Sequence, residues 1–193
     1  MKKSISVLFV GNSYTFFNDM PKTSFVKEAE AAGVKVSVTA VTKGGWYLSK
    51  YADENDEYGK RLREVISGKH YDFAVLQDQS LCPIKDEERF LSGAGALKDI
   101  IDAEKFVLYA TWGRNDGSPD LEALGMTRKE MTERLSAAYN KAGERYGMLV
   151  AEVGRAFLEY PEKDALYDAD KSHPSPLGSE IAAKVIFRSM DLK

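Results

Sequence analysis

A chain of 193 residues that is 44% hydrophobic and 30% charged is long enough to bury one substantial core, and its length points to a single domain over residues 1–193. Its formal net charge of −3, spread without a run of like charges, leaves no electrostatic footprint for nucleic acid, and no apolar stretch approaches the roughly 20 residues that span a bilayer. One cysteine, Cys82, excludes an internal disulfide, and with two histidines, His70 and His173, a zinc site would have to rely on carboxylates; neither metal nor cofactor is expected.

Met1-Lys2-Lys3 precedes an apolar run that reaches Gly11 within a few residues and lacks a small-residue cleavage site, so it reads as the start of a strand. As it stands the sequence reads as cytoplasmic, with a secreted or periplasmic location following if a leader had been removed. The first strand, 5–10, breaks into Gly11-Asn12-Ser13-Tyr14-Thr15, a loop in which nearly every side chain carries a polar atom. Helical spacing over 21–32 is closed by Gly33, and the second strand, 34–41, leads into Lys43-Gly44-Gly45-Trp46-Tyr47. A helix over 58–66 is closed by Gly68, and the third strand, 73–76, ends in Gln77-Asp78-Gln79-Ser80. After a helix over 87–101 comes the fourth strand, 106–110, followed by Thr111-Trp112-Gly113-Arg114-Asn115-Asp116. The next helix, 127–146, has Thr127 and Glu130 spaced as a capping box and Gly147 at its end. The fifth strand, 148–153, is followed at some distance by Asp168-Ala169-Asp170-Lys171-Ser172-His173-Pro174, and Ser175-Pro176 opens a last helix over 176–190.

Strands that alternate with helices must be joined by right-handed crossovers, which predicts an α/β fold: a three-layer α/β/α sandwich around a five-stranded parallel sheet. In such sheets ligands sit beyond the carboxyl ends of the strands, where the strand order reverses. The loop 11–15 occupies such a place. Acyl transfer needs a hydroxyl nucleophile, an imidazole to take its proton, a carboxylate to orient the imidazole, and donors for the developing oxyanion. Ser13 supplies the hydroxyl. Asp170 and His173 are three residues apart, close enough for a turn to bring the carboxylate to Nδ1 and leave Nε2 for Ser13.

These two segments resemble the SGNH, or GDSL-type, hydrolases. Gly11-Asn12-Ser13-Tyr14-Thr15 is similar to the family's first block, G-D-S-L-T, directly after an amino-terminal strand, and Asp170-Lys171-Ser172-His173-Pro174 is similar to its last, D-x-x-H-P, before the terminal helix. The resemblance implies a flavodoxin-like fold and ester hydrolysis through an acyl-enzyme without a metal, with Ser13 as nucleophile, His173 as general base and then acid, and Asp170 as its orienter. It also implies an oxyanion hole built from the N–H of Ser13, a second-block glycine N–H and a third-block asparagine. Here Asn12 replaces the first-block aspartate. Gly44 and Gly45 both qualify for the second block, with Gly45 preferred because it directly precedes the aromatic turn, and Gln79 falls where the asparagine belongs. The absence of a G-x-S-x-G elbow argues against the other large hydrolase fold.

Asn12, Trp46 and Trp112 are candidates for substrate contact, although aromatics at strand ends are as often packing. Ser13 and Thr15 have a plainer reading as turn residues, and Asp170 with His173 as a helix-entry cap. His70 reads as a solvated loop residue, 53–57 and 86–89 as surface, and Asn115-Asp116 as a turn. The function expected is a serine esterase for a small acyl group, with an acetyl ester on a carbohydrate as the favoured substrate. Its partners are then small molecules or carbohydrate esters, and the oligomeric state stays open. Two alternatives compete: a flavin-binding electron carrier, with Trp46, Tyr47 or Trp112 flanking the ring, and an SGNH domain that binds esters or glycans without turnover.

Overall fold

Residues 4–192 are described in the structure, a computed structural model; Met1-Lys2-Lys3 lie outside the described residues. Five strands, β1 (Ser4–Gly11), β2 (Lys35–Thr42), β3 (Tyr71–Leu76), β4 (Ala103–Ala110) and β5 (Leu149–Glu152), pair in parallel in the order β2-β1-β3-β4-β5. Register pairs Val7 with Val38 on one side and Phe73 on the other, and Leu76 with Leu108, so the strand ends are level. The chain starts inside the sheet, steps out to β2, then crosses back to β3. Strand order therefore reverses between β1 and β3, and their carboxyl ends flank the switch point.

The helices are α1 (Ser13–Phe16), α2 (Ser24–Ala31), α3 (Leu48–Ala52), α4 (Glu57–Ile66), α5 (Cys82–Lys85), α6 (Glu87–Ile100), α7 (Pro119–Leu124), α8 (Arg128–Tyr146), α9 (Val153–Glu159) and α10 (Pro176–Ser189). Side chains alternate across β1, so Val7 and Phe9 join Phe25 of α2, Phe157 of α9 and Ile186 of α10, whereas Leu8 and Val10 join Leu62 of α4, Leu97 of α6 and Tyr139 of α8. Burial on both faces explains why residues 7–10 of β1 read as an unbroken apolar run. Each of Val7, Leu8 and Phe9 is fully buried, which stabilises the fold by roughly 1.5–3 kcal/mol per side chain. No helix among the described residues is long and apolar enough to cross a membrane.

Helix ends follow the sequence signals. Thr127 and Glu130 form the capping box, and Gly147 takes φ +63° at the end of α8. Three expectations need correction. The helix expected over 21–32 begins only at Ser24, because the chain first makes a 3₁₀ turn, Phe17–Asp19, in which Asn18 and Asp19 have φ of +56° and +50°. The fifth strand ends at Glu152, and Val153 already belongs to α9. β4 starts at Ala103, earlier than expected, since Glu104 and Lys105 on its exposed first half hide the strand pattern.

Candidate active site

β1 delivers the chain to the switch point and stops at Gly11. A Cβ there would lie 2.4 Å from Thr15 Oγ1 and 2.9 Å from Gln77 Oε1, so only glycine fits. Asn12 caps α1: its Oδ1 accepts from Tyr14 N at 3.2 Å, its Nδ2 donates to Trp46 O at 3.1 Å, and its own N–H donates to Gln77 Oε1 at 3.0 Å. Gln77 Oε1 also accepts from Thr15 Oγ1 at 2.9 Å, which fixes the loop on the end of β3. Ser13 thus opens a helical turn at the mouth of the sheet, and its N–H has no acceptor among the described residues.

The second arm is a tight turn in front of α10. Asp168 N donates to His173 O at 2.8 Å, and Lys171 N donates to Asp168 O at 3.0 Å, with Lys171 in the left-handed region at φ +60°. Asp170 Oδ1 accepts from the backbone N–H of Ser172 and of His173, each at 2.9 Å, while Oδ2 accepts from His173 Nδ1. A proton held on Nδ1 by the carboxylate makes Nε2 the acceptor, and Nε2 lies 2.8 Å from Ser13 Oγ. Partial burial works against ionising Asp170, but the hydrogen bonds from His173 and Ser172 together outweigh it and hold the carboxyl below the usual carboxylate range. Phe17 stacks on the imidazole with centroids 4.1 Å apart and planes within 10°, and Tyr14 meets its edge at 5.4 Å. Asn18 Nδ2 donates to Pro174 O at 3.1 Å and to Ser179 Oγ at 2.8 Å, tying the two loops together.

The flanking loops supply donors. Trp46 N donates to Lys43 O at 3.1 Å, closing a turn with Gly45 at φ +68°, and the N–H groups of Gly44 and Gly45 have no acceptor among the described residues. Gln79 Oε1 accepts from Leu81 N at 2.8 Å and Cys82 N at 3.0 Å, which leaves Nε2 as its uncommitted end. Gln77 has no such freedom: it is fully buried, and its Nε2 donates to Asp78 O. Asp78 Oδ1 joins these loops by accepting from Leu48 N at 2.8 Å and Gln79 N at 2.7 Å, while Oδ2 is buried and meets no hydrogen-bond partner among the described residues. Desolvation pushes the Asp78 carboxyl up to about 6.

Two expected substrate contacts are corrected by burial. Asn12 is 2% exposed, and its polar atoms are spent on the loop itself. Trp112 is fully buried between Tyr14 at 4.7 Å and Phe157 at 4.1 Å, both stacked, and its Nε1 donates to Ser172 O at 3.1 Å. With both faces covered, it has none left for a flavin ring. Trp46 stays half-buried, with Nε1 on Asp56 Oδ1 at 3.1 Å and Lys50 Nζ 4.0 Å from its ring centroid. Sequence reasoning left three residues of the site without a role: Tyr14, Ser80 and Arg114. Arg114 is 4% exposed, donates to the Tyr14 hydroxyl, and reaches Ser80 Oγ and Asp120 Oδ2, each at 2.8 Å. A buried arginine 100 positions from its tyrosine partner has no local sequence signal. His70 sits apart, half-exposed before β3, with Nδ1 2.9 Å from Asp102 Oδ1.

Parallel strands in the order β2-β1-β3-β4-β5, with a first-loop hydroxyl set against an imidazole, define a class of three-layer proteins with flavodoxin-like strand order. No protein-family model matches the sequence, and neither does any curated protein. Solved structures do. A protein from Slackia heliotrinireducens assigned as an SGNH hydrolase is 30% identical and superposes with a TM-score of 0.82 over 97% of this chain and 99% of that one. A DUF4886 family protein from Bacteroides uniformis gives a TM-score of 0.81 at 17% identity over 98% and 84% of the two chains. A lipase/acylhydrolase from Enterococcus faecalis gives 0.71 at 17% identity over 98% and 95%. The last two share the fold. The chain belongs to the SGNH hydrolases.

Proposed function

We propose that the chain is a single-domain serine esterase that cleaves a small acyl ester, with an acetyl group on a carbohydrate as the leading substrate class. The observation that carries the reading is the relay from the Asp170 carboxylate through His173 to Ser13 Oγ, whose last step is 2.8 Å. Ser13 Oγ attacks the ester carbonyl while Nε2 of His173 takes its proton, and Asp170 stabilises the imidazolium that forms. The N–H of Ser13, the N–H of Gly45 and Nε2 of Gln79 receive the oxyanion. His173 then protonates the departing alcohol, and a water activated by the same imidazole releases the acid from Ser13. The carbohydrate preference rests on the loops around Ser13, which carry amides, glycines and the half-buried Trp46, with Phe16 exposed beside Gly44.

The test is intact-mass spectrometry after treatment with a fluorophosphonate, run on wild type, Ser13→Ala and His173→Ala. One adduct on wild type and none on either variant is the expected outcome, together with a loss of acetyl-ester hydrolysis on the order of 10⁴-fold or more in both. An adduct that persists in folded Ser13→Ala, or a folded wild type that takes no label, overturns the assignment.

A further inference from the structure

We propose that Arg114 is a positioning residue for this hydrolysis: by donating to Tyr14, whose hydroxyl is hydrogen-bonded to Ser172, it holds the turn that carries Asp170 and His173. The inference rests on the roles given above to Ser13 and His173.

A guanidinium has only donors. Arg114 therefore donates to the Tyr14 oxygen, and the same hydroxyl is hydrogen-bonded to Ser172 Oγ at 2.8 Å. Ser172 lies between the two members of the relay, and its remaining backbone groups are also engaged: N donates to Asp170 Oδ1 at 2.9 Å and O accepts from Trp112 Nε1 at 3.1 Å. The loop that carries Arg114 grips the same turn once more, with Asn115 N donating to Lys171 O at 2.8 Å. The other arm of the fork reaches Ser80 Oγ at 2.8 Å, directly after Gln79. One buried cation therefore ties together the loop of Ser13, the turn of His173 and the loop of Gln79. Its charge is balanced by Asp120, which accepts from Nε at 2.8 Å and is itself 44% exposed. The planar fork suits this task, since it aims fixed N–H groups at separate acceptors. Without it, the Tyr14–Ser172 link loses its anchor on the buried guanidinium, and the turn loses a constraint that bears on where Nε2 points.

The experiment measures kcat and KM for an acetyl ester, with kcat expressed per site labelled by fluorophosphonate, in wild type, Tyr14→Phe, Ser172→Ala, the double variant and Arg114→Lys. Counting labelled sites cancels any loss of folded protein. Tyr14→Phe and Ser172→Ala are each expected to lower kcat about tenfold with KM within about twofold, and the double variant to be no worse than either, because both cut the same link. Arg114→Lys, which keeps the charge and loses the fork, is expected to fall with them. Full kcat per labelled site in Tyr14→Phe, or a double variant whose losses multiply, overturns the inference while leaving the esterase reading intact. A wild type that neither labels nor turns over removes the esterase reading, and the inference with it.

Discussion

Replacing Gln77 with leucine removes one oxygen that serves two buried donors, Asn12 N at 3.0 Å and Thr15 Oγ1 at 2.9 Å. Asn12 and Thr15 are 2% and 1% exposed, so water does not replace the lost acceptor. Each orphaned donor costs about 1–3 kcal/mol, and the apolar surface gained by leucine offsets part of the sum, for a net loss of about 2–4 kcal/mol. With native stabilities of roughly 5–15 kcal/mol, the variant still folds. Gln79→Ala tests the neighbouring role. It removes the oxygen that caps Leu81 N and Cys82 N, worth about 1 kcal/mol, and it removes the Nε2 donor assigned to the oxyanion, worth about 10²–10³ in kcat. Urea unfolding followed by tryptophan fluorescence, paired with kcat per labelled site, separates the two. Gln77→Leu is expected to move the midpoint down by on the order of 1 M, and Gln79→Ala by less than about half that while losing turnover. An unmoved midpoint in Gln77→Leu, or full kcat in Gln79→Ala, refutes this division of labour.

Two carboxylates give opposite pH signatures. Asp170 has a depressed folded value, so its contribution to stability is present above the unfolded value near 3.9 and fades as pH falls through the folded one. The stability gap between wild type and Asp170→Asn should therefore narrow in urea unfolding as pH falls below about 4, and a gap that does not change there contradicts the argument. Asp170→Asn should also lower kcat by about 10⁴, because the amide no longer enforces the tautomer with Nε2 free. Asp78 has a folded value raised to about 6, so the folded state binds its proton more tightly and wild type loses stability as pH rises from about 4 to about 6. Asp78→Asn keeps an acceptor for Leu48 N and Gln79 N without a charge to bury, and should gain stability relative to wild type over that interval. Parallel pH profiles for the two proteins would show that Asp78 is not the group responsible.

β1, β3 and the second half of β4 are buried on both faces and read as apolar runs, whereas the edge strand β2 alternates, and these local patterns carry the five strands and their alternation with helices. The same holds for the Asp170 to His173 turn, whose members are three residues apart, and for the loop that exposes Ser13, because each is a short-range arrangement written in consecutive residues. Helices of four to seven residues such as α1, α5 and α9 escaped notice, since a segment of one or two turns is held by caps and tertiary contacts rather than by its own periodicity. Tertiary structure alone decided that Gln77 is spent on the first loop while Gln79 keeps a free amide, that Trp112 is enclosed between Tyr14 and Phe157, and that Arg114 reaches Tyr14. Each of these depends on which strand ends lie side by side at the switch point. That adjacency is set by sheet order and register between segments far apart in the chain, and no window of neighbouring residues encodes it.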